Sequence, residues 1–153
     1  MEKKLTHFFD TTLTTALENL KEDSKAEWGT MTANQMLIHL IQSSKMIHFG
    51  NNTLLIKEEH VEKAIAFLYT DKEIKKGLVV PNDIGFNFTN NINKDIGRLK
   101  LELINSTKDM LTFLRKNTEF KSIHPYFGEL NSTQWILFQK KHFKHHLSQF
   151  KLI

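Results

Sequence analysis

The sequence WILFQKKHFKHHLSQF, from Trp135 to Phe150, carries two side-chain stripes at helical spacing. One stripe is mostly polar and steps by four, three, four and three residues: Trp135, Gln139, His142, His146 and Gln149. The opposite flank is apolar: Ile136, Phe143, Leu147 and Phe150. Because the lysines of this segment turn outward, both stripes are expected to be at least partly buried. Asn131 and Gln134 have capping-box spacing, so we predict a helix over about residues 131–150.

Three further long helices follow from the same periodicity. The first is predicted over about residues 6–20, where leucines, Phe9 and Ala16 form one apolar stripe. The second is predicted over residues 32–50, because Thr32 and Gln35 have capping-box spacing and Gly50 can end a helix. The third is predicted over about residues 93–116.

The connections between these helices are marked by the two prolines, Pro81 and Pro125. The longer connection, residues 51–92, is predicted to contain a short charged helix over about residues 58–69 and then an extended crossover. The shorter one, which contains His124 and Gly128, is expected to be a loop. Strand signals are confined to fragments such as residues 78–80. The predicted fold is therefore all-α, a four-helix bundle with one long crossover between the second and third helices.

Length and composition predict one globular domain over residues 1–153, with 40% hydrophobic and 25% charged residues. The absence of cysteine excludes disulfides, thiolate metal sites and a cysteine nucleophile. No apolar run approaches the roughly 20 residues that a membrane span needs, and the N-terminus shows no signal-peptide pattern. We therefore expect a cytoplasmic protein without membrane association.

A net charge of +4 raises the question of nucleic-acid binding. The 21 basic residues are spread along the chain among 17 acidic ones, and arginine occurs only at Arg98 and Arg115. Since arginine is the usual reader of bases, a solvated lysine surface is the better interpretation. No nucleic-acid partner is predicted.

Three histidines form the candidate functional site. His142 and His146 are four residues apart, so their imidazoles project from adjacent turns of one helix face, as two ligands of one metal ion do. The candidate for a third ligand is His39, which lies in the apolar run MLIHLI. The residues alone leave open a second interpretation, in which all three are core histidines with hydrogen-bond partners. His7, His48, His60 and His124 have no comparable partners and are expected at the surface or in loops.

Two segments resemble a known superfamily: Trp28–Leu40, WGTMTANQMLIHL, and the ending His142–Phe150, HFKHHLSQF, with HPYFG at residues 124–128 and Trp135 between them. They are similar to the uncharacterised bacterial branch of the DinB-like superfamily, related to the YfiT-like metal-dependent hydrolases. The resemblance implies an up-up-down-down four-helix bundle with a histidine triad at one end of its cavity. Matched to this chain, the triad is His39, His142 and His146. His145 occupies an additional histidine position for which no ligand role is implied.

The resemblance also implies a function, since relatives include thiol S-transferases that use a metal to activate a small-molecule thiol such as bacillithiol or mycothiol. The expected activity is that of a metal-dependent hydrolase or thiol S-transferase acting on a small molecule, with zinc as the metal and nickel as the alternative. The competing hypothesis is a non-catalytic metal- or ligand-binding module of a stress response. Gln35, Ser43 and Gln149 are candidates to orient the ligands, and Ser106 is a candidate to open cavity space, although the favoured interpretation of all four is as polar residues of helix packing. A homodimer is expected.

Overall fold

In the computed structural model, which describes residues 2–49, 53–78 and 95–153, the chain is mostly helical, with five helices and one small sheet in the described part. Helix α1 runs from Glu2–His7 through a π-helical segment, Phe8–Thr12, to Leu13–Glu18. Helix α2 spans Ala33–Phe49, and α3 consists of a 3₁₀ turn, Glu58–His60, followed by Val61–Leu68. Helix α4 spans Ile96–Lys116 and α5 spans Ser132–Gln149.

Both predicted capping boxes are confirmed. The backbone N–H of Gln35 donates to Thr32 Oγ1 at 3.1 Å, and the Thr32 N–H donates to Gln35 Oε1 at 3.0 Å. Asn131 and Gln134 make the same reciprocal pair, each at 2.9 Å, at the start of α5. Each pair satisfies two backbone N–H groups that have no intrahelical acceptor at a helix start.

The start of α4 is set by Asp95, whose side chain accepts a hydrogen bond from the Arg98 N–H at 3.3 Å. The helix thus begins at Ile96, although the periodicity predicted a start near residue 93. Several predicted features lie outside the described residues: residue 93, the helix end at Gly50, the crossover through Pro81 and Gly85, and residues 79–80.

The expected loop before α5 is wrong, because this segment forms a β-hairpin. Strand β1, Lys121–His124, pairs antiparallel with β2, Gly128–Asn131, so that His124 lies opposite Gly128. Gly128 has φ +76°, and a Cβ there would lie 2.6 Å from Val61 Cγ1 of α3. Glycine is therefore required for both the turn and the close approach of α3.

The core is built mainly from the apolar faces of α1, α2, α4 and α5. Helix α2 packs against α4, and α5 contacts α1, α2, α3 and α4 as well as β2. The side chains with less than 2% exposure include Trp135, Phe143, Leu13, Leu37, Leu40, Leu99 and Leu103. This packing holds α2 and α5 side by side, which places His39 opposite the two histidines of α5. Among the described helices, none combines the length and apolarity needed to cross a bilayer.

Candidate metal centre

The structure brings the three predicted histidines, His39 from α2 and His142 and His146 from α5, to one point. The Nε2 atom of His142 lies 2.9 Å from Nε2 of His39 and 3.2 Å from Nε2 of His146. One ring nitrogen from each residue lies within 4.8 Å of the other two. The ring centroids are 4.6–4.8 Å apart and the rings are steeply inclined to each other. The nitrogens therefore converge instead of the ring faces stacking.

The site is largely shielded from solvent. His39 is 9% exposed and His146 is 8% exposed, whereas His142 keeps an intermediate exposure. The ring of Phe138 stacks on His142 with a centroid separation of 5.4 Å. The cluster thus has one partly accessible side, at His142, and apolar packing around it.

Ser43 and Gln139 fix the protonation pattern of His142. Gln139 Nε2 donates to the Ser43 carbonyl at 2.8 Å, which turns Gln139 Oε1 toward the Ser43 hydroxyl. That hydroxyl donates its only hydrogen to Gln139 Oε1 at 3.0 Å, so toward His142 Nδ1, also at 3.0 Å, it can only accept. His142 therefore carries its proton on Nδ1, and Nε2 presents a lone pair to the cluster.

Gln149 does the same for His146. Its Nε2 donates to the Trp28 carbonyl at 2.8 Å, so its Oε1 faces His146 Nδ1 at 2.8 Å and accepts that N–H. The Nε2 lone pair of His146 then points into the cluster. A hydrogen bond from the Glu27 N–H to the Gln149 carbonyl, 2.7 Å, fastens the segment before α2 to the end of α5. Gly29, at φ +76°, leaves room for this arrangement, because a Cβ there would lie 2.9 Å from Gln149 Nε2.

These hydrogen bonds place two lone pairs against each other. The Nε2 atoms of His142 and His146 are 3.2 Å apart, and neither carries a hydrogen that could join them. Two acceptors at that distance repel unless a cation or an N–H donor lies close to them, and a neutral His39 with its hydrogen on Nε2, 2.9 Å from that of His142, is one such donor. The Nε2 of His39 completes a set of three imidazole nitrogens, which is the ligand type and number typical of an open divalent-metal site.

A proton is a poor substitute for that positive charge. Burial lowers the pKa of His39 to about 3. It also lowers the pKa of His146 to about 4, although the hydrogen bond that His146 donates to Gln149 opposes this shift. The pKa of His142 is also well below its ordinary value, because of burial first and of the neighbouring histidines second. The three side chains are therefore neutral at physiological pH, which is the form that binds metal.

The sequence-predicted orienting residues divide into two groups. Ser43 and Gln149 contact the triad, as described. Gln35 instead caps α2, and Ser106 donates to the Leu103 carbonyl at 3.1 Å within α4. Gln139 was not assigned a role from the sequence, although it lies on the same helical stripe as His142 and is 0% exposed. The sequence feature that could have identified Gln139 is its position one helical turn before the candidate ligand His142.

The expectation that His124 lies at the surface or in a loop is wrong. His124 ends β1, is 5% exposed, and its ring centroid lies 4.2 Å from that of Phe138. The Tyr126 N–H donates to His124 Nδ1 at 3.1 Å. Burial lowers the pKa of His124 from 6.5 to about 3. Because the unfolded chain then binds a proton at higher pH than the folded protein, the associated stability is complete above pH 6.5 and is lost as the pH falls toward 3.

His145 packs beside the triad. Its ring centroid lies 5.1 Å from that of His146 and 5.7 Å from the ring of Trp28. Burial lowers the pKa of His145, while a hydrogen bond with the backbone of Ile74 opposes the shift. His145 thus separates the triad from the loop that follows α3.

The fold and the site define a class: a mostly helical protein with a buried, convergent three-histidine cluster held by hydroxyl and amide hydrogen bonds. The chain belongs to the family described as "Protein of unknown function (DUF1569)", whose model matches residues 2–152. Searches of the curated proteins and of the solved structures returned no significant match.

Proposed function

We propose that His39, His142 and His146 bind one divalent metal ion, zinc in the cell with nickel as the alternative. The observation that carries this proposal is the convergence of one ring nitrogen from each histidine within 4.8 Å, with the Nε2 atoms of His142 and His146 3.2 Å apart. Ser43, Gln139 and Gln149 maintain that pattern through the outer ring nitrogens. Such partners fix tautomer and ring orientation in metal sites and increase ligand basicity.

The architecture is proposed to be a DinB-like four-helix bundle in one domain. The four longest helices, α1, α2, α4 and α5, supply most of the buried core, and α3 lies in the connection between α2 and α4. One triad member on the second long helix and two on the last agree with the distribution that the sequence resemblance implies. The family match over residues 2–152 covers all three positions.

The function that these features support best is that of a metal-dependent hydrolase or thiol S-transferase acting on a small molecule. A divalent ion on three neutral imidazoles supplies Lewis acidity, lowering the pKa of a water or thiol and polarising a carbonyl or phosphoryl oxygen. The chain's own contribution is to keep His142 and His146 deprotonated on Nε2, to hold them rigidly, and to exclude bulk water through Phe138 and the core. The partial exposure of His142 marks the side from which a substrate would approach.

A non-catalytic metal- or ligand-binding module is the second candidate. The hydrogen-bonding groups that face the outer nitrogens of His142 and His146 are one hydroxyl and one amide, and both are neutral. Within the described part of the chain, no aspartate or glutamate joins the three histidines in the cluster. A site of this composition binds a cation but offers no carboxylate as a general base.

The metal proposal is tested by metal content. Protein purified without a His-tag is expected to contain or take up about one zinc or nickel per chain, measured by mass spectrometry, and His39→Ala and His142→Ala are expected to lose it. His48→Ala is the matched control, because His48 is an exposed residue near the end of the same helix as His39. Protein that stays metal-free after incubation with both metals would refute the site.

Activity then separates the two functions. Zinc-loaded protein is assayed for conjugation of monochlorobimane to small thiols and for hydrolysis of nitrophenyl esters. Turnover that disappears in His142→Ala, but not in His48→Ala, supports the enzyme. Stoichiometric metal with no turnover in either assay supports the binding module.

A further inference from the structure

A cavity lies on the face of α5 next to the triad, where its wall is formed by Leu137, Lys141, Lys144, His145 and Ser148. The segment after α3, residues 69–76, closes the opposite side, and Trp28 and Leu5 close the ends. The volume is about 340 Å³. This is at the lower end of the range in which protein pockets hold small molecules. None of the three triad histidines lines this cavity.

The charge of the cavity wall is strongly unbalanced. Five lysines line it: Lys72, Lys76, Lys140, Lys141 and Lys144. Only two carboxylates, Asp71 and Glu73, do so, which leaves three positive charges in excess. Among the described residues, the lysine ion pairs all lie elsewhere, at Lys45, Lys57, Lys121 and Lys151. Within the described part of the chain, the cavity therefore concentrates cationic charge, and its lysines are not among those that form ion pairs.

The lysines of the cavity wall differ in the contacts that their ammonium groups make. Lys141 Nζ donates to the Thr70 carbonyl at 2.7 Å and to the Lys72 carbonyl, so it fastens the post-α3 segment to α5. Lys76 Nζ lies 4.4 Å from the centroid of the Trp28 ring. Lys72 and Lys144 are exposed residues of the cavity wall. They are the ammonium groups best placed to bind a ligand without disturbing the fold.

The remaining lining is apolar. Leu5, Leu68, Ile74, Leu137 and the Trp28 ring give the cavity a hydrophobic base beneath the charged rim. Apolar surface with a few convergent charged groups is typical of sites that bind a small organic anion, because burial supplies affinity and the charges fix orientation. A uniformly solvated lysine surface lacks such a base.

We propose that this cavity, bounded by α5, residues 69–76 and Trp28, binds a multivalent organic anion carrying phosphate or carboxylate groups. Lys72, Lys76 and Lys144 bind the anionic groups, and the apolar base accommodates the remainder of the ligand. The site is independent of the metal centre, from which His145 separates it, so it exists in metal-free protein.

Metal-free protein, prepared with a chelator that is then removed, is titrated calorimetrically with pyrophosphate and, separately, with citrate in low salt. These probes distinguish phosphate from carboxylate recognition, and the absence of metal prevents their binding to the triad. We expect saturable one-to-one binding of at least one probe, weakened about tenfold in Lys72→Gln/Lys144→Gln, because two of the charges that bind it are lost. Lys108→Gln is the matched control, since Lys108 is an exposed lysine of α4 outside the cavity.

A variant that binds more tightly is also needed, because misfolding can explain a loss of affinity but not a gain. Asp71→Asn/Glu73→Gln deletes both carboxylates of the wall and is expected to bind the probe more tightly than the wild type. Absence of saturable binding of both probes at 10 mM would overturn the proposal. An equal loss of affinity in Lys108→Gln would also overturn it, because the binding would then reflect net charge alone.

Discussion

Ser43→Ala isolates the hydrogen bond that sets the protonation pattern of His142. The Ser43 hydroxyl is 0% exposed and contacts both Gln139 Oε1 and His142 Nδ1 at 3.0 Å. Its removal leaves an amide oxygen and an imidazole N–H without these partners in a shielded site. Because each of these two unsatisfied groups costs about 1–3 kcal/mol, the free energy of unfolding of metal-free protein is expected to fall by about 2–6 kcal/mol.

The same change releases the Nε2 lone pair of His142 from its fixed orientation. Loss of such an outer partner lowers metal affinity by about 10- to 100-fold. The assay is a zinc competition titration against a chromophoric chelator, with urea unfolding of the metal-free protein measured in parallel. Zinc affinity and the free energy of unfolding are both expected to fall, because the same hydroxyl hydrogen-bonds to Gln139 in the core and to the ligand His142.

Ser44→Ala is the matched control. Ser44 is 1% exposed, but its hydroxyl donates at 2.9 Å to the Leu40 carbonyl of its own helix and contributes nothing to the triad. That carbonyl keeps its helical N–H partner, so the variant is expected to lose less than about 1 kcal/mol and to bind zinc normally. The reasoning is refuted if Ser43→Ala binds zinc within about twofold of the wild type, or if Ser44→Ala weakens binding equally.

Three further predictions concern Gly29, Gly128 and the buried His124. Gly29→Ala forces a Cβ to 2.9 Å from Gln149 Nε2 and is expected to lower zinc affinity about tenfold through His146. Gly128→Ala, whose Cβ would meet Val61 at 2.6 Å, is expected to lower the unfolding temperature but leave zinc affinity unchanged. Chelator titrations in which Gly128→Ala weakens zinc binding and Gly29→Ala does not would contradict the role given to Gly29. For His124, whose pKa falls from 6.5 to about 3, the metal-free protein is expected to lose about 2 kcal/mol of stability from this residue between pH 8 and pH 5. Urea unfolding of His124→Phe should show a pH dependence smaller by that amount, and an unchanged dependence would exclude His124 as its source.

The local features of the fold were predictable because their causes lie within a few residues. The capping pairs Thr32–Gln35 and Asn131–Gln134 use side chains three positions apart, and the structure confirms both. The i and i+4 spacing of His142 and His146 likewise requires only helical geometry. The hairpin at residues 121–131 was missed, because its strands are four residues each and Pro125 between them is equally typical of a loop.

The site needed more than local pattern. The apolar run around His39 indicated burial, but the 2.9 Å approach of its Nε2 to that of His142 depends on how α2 packs against α5. Gln139 received no role from the sequence for the same reason, since its partner Ser43 is 96 residues away. His124 was placed wrongly because nothing nearby in sequence shows that Phe138 covers its ring.

The sequence by itself determined which segments form the long helices, where two of them begin, and which three histidines could share an ion. These properties arise from interactions within one or two helical turns. Tertiary structure alone decided the direction of each lone pair, the cationic cavity beside the triad, and the burial of His124. Each of these depends on contacts between residues far apart in the chain, whose distances are set by the packing of whole helices and not by local conformation.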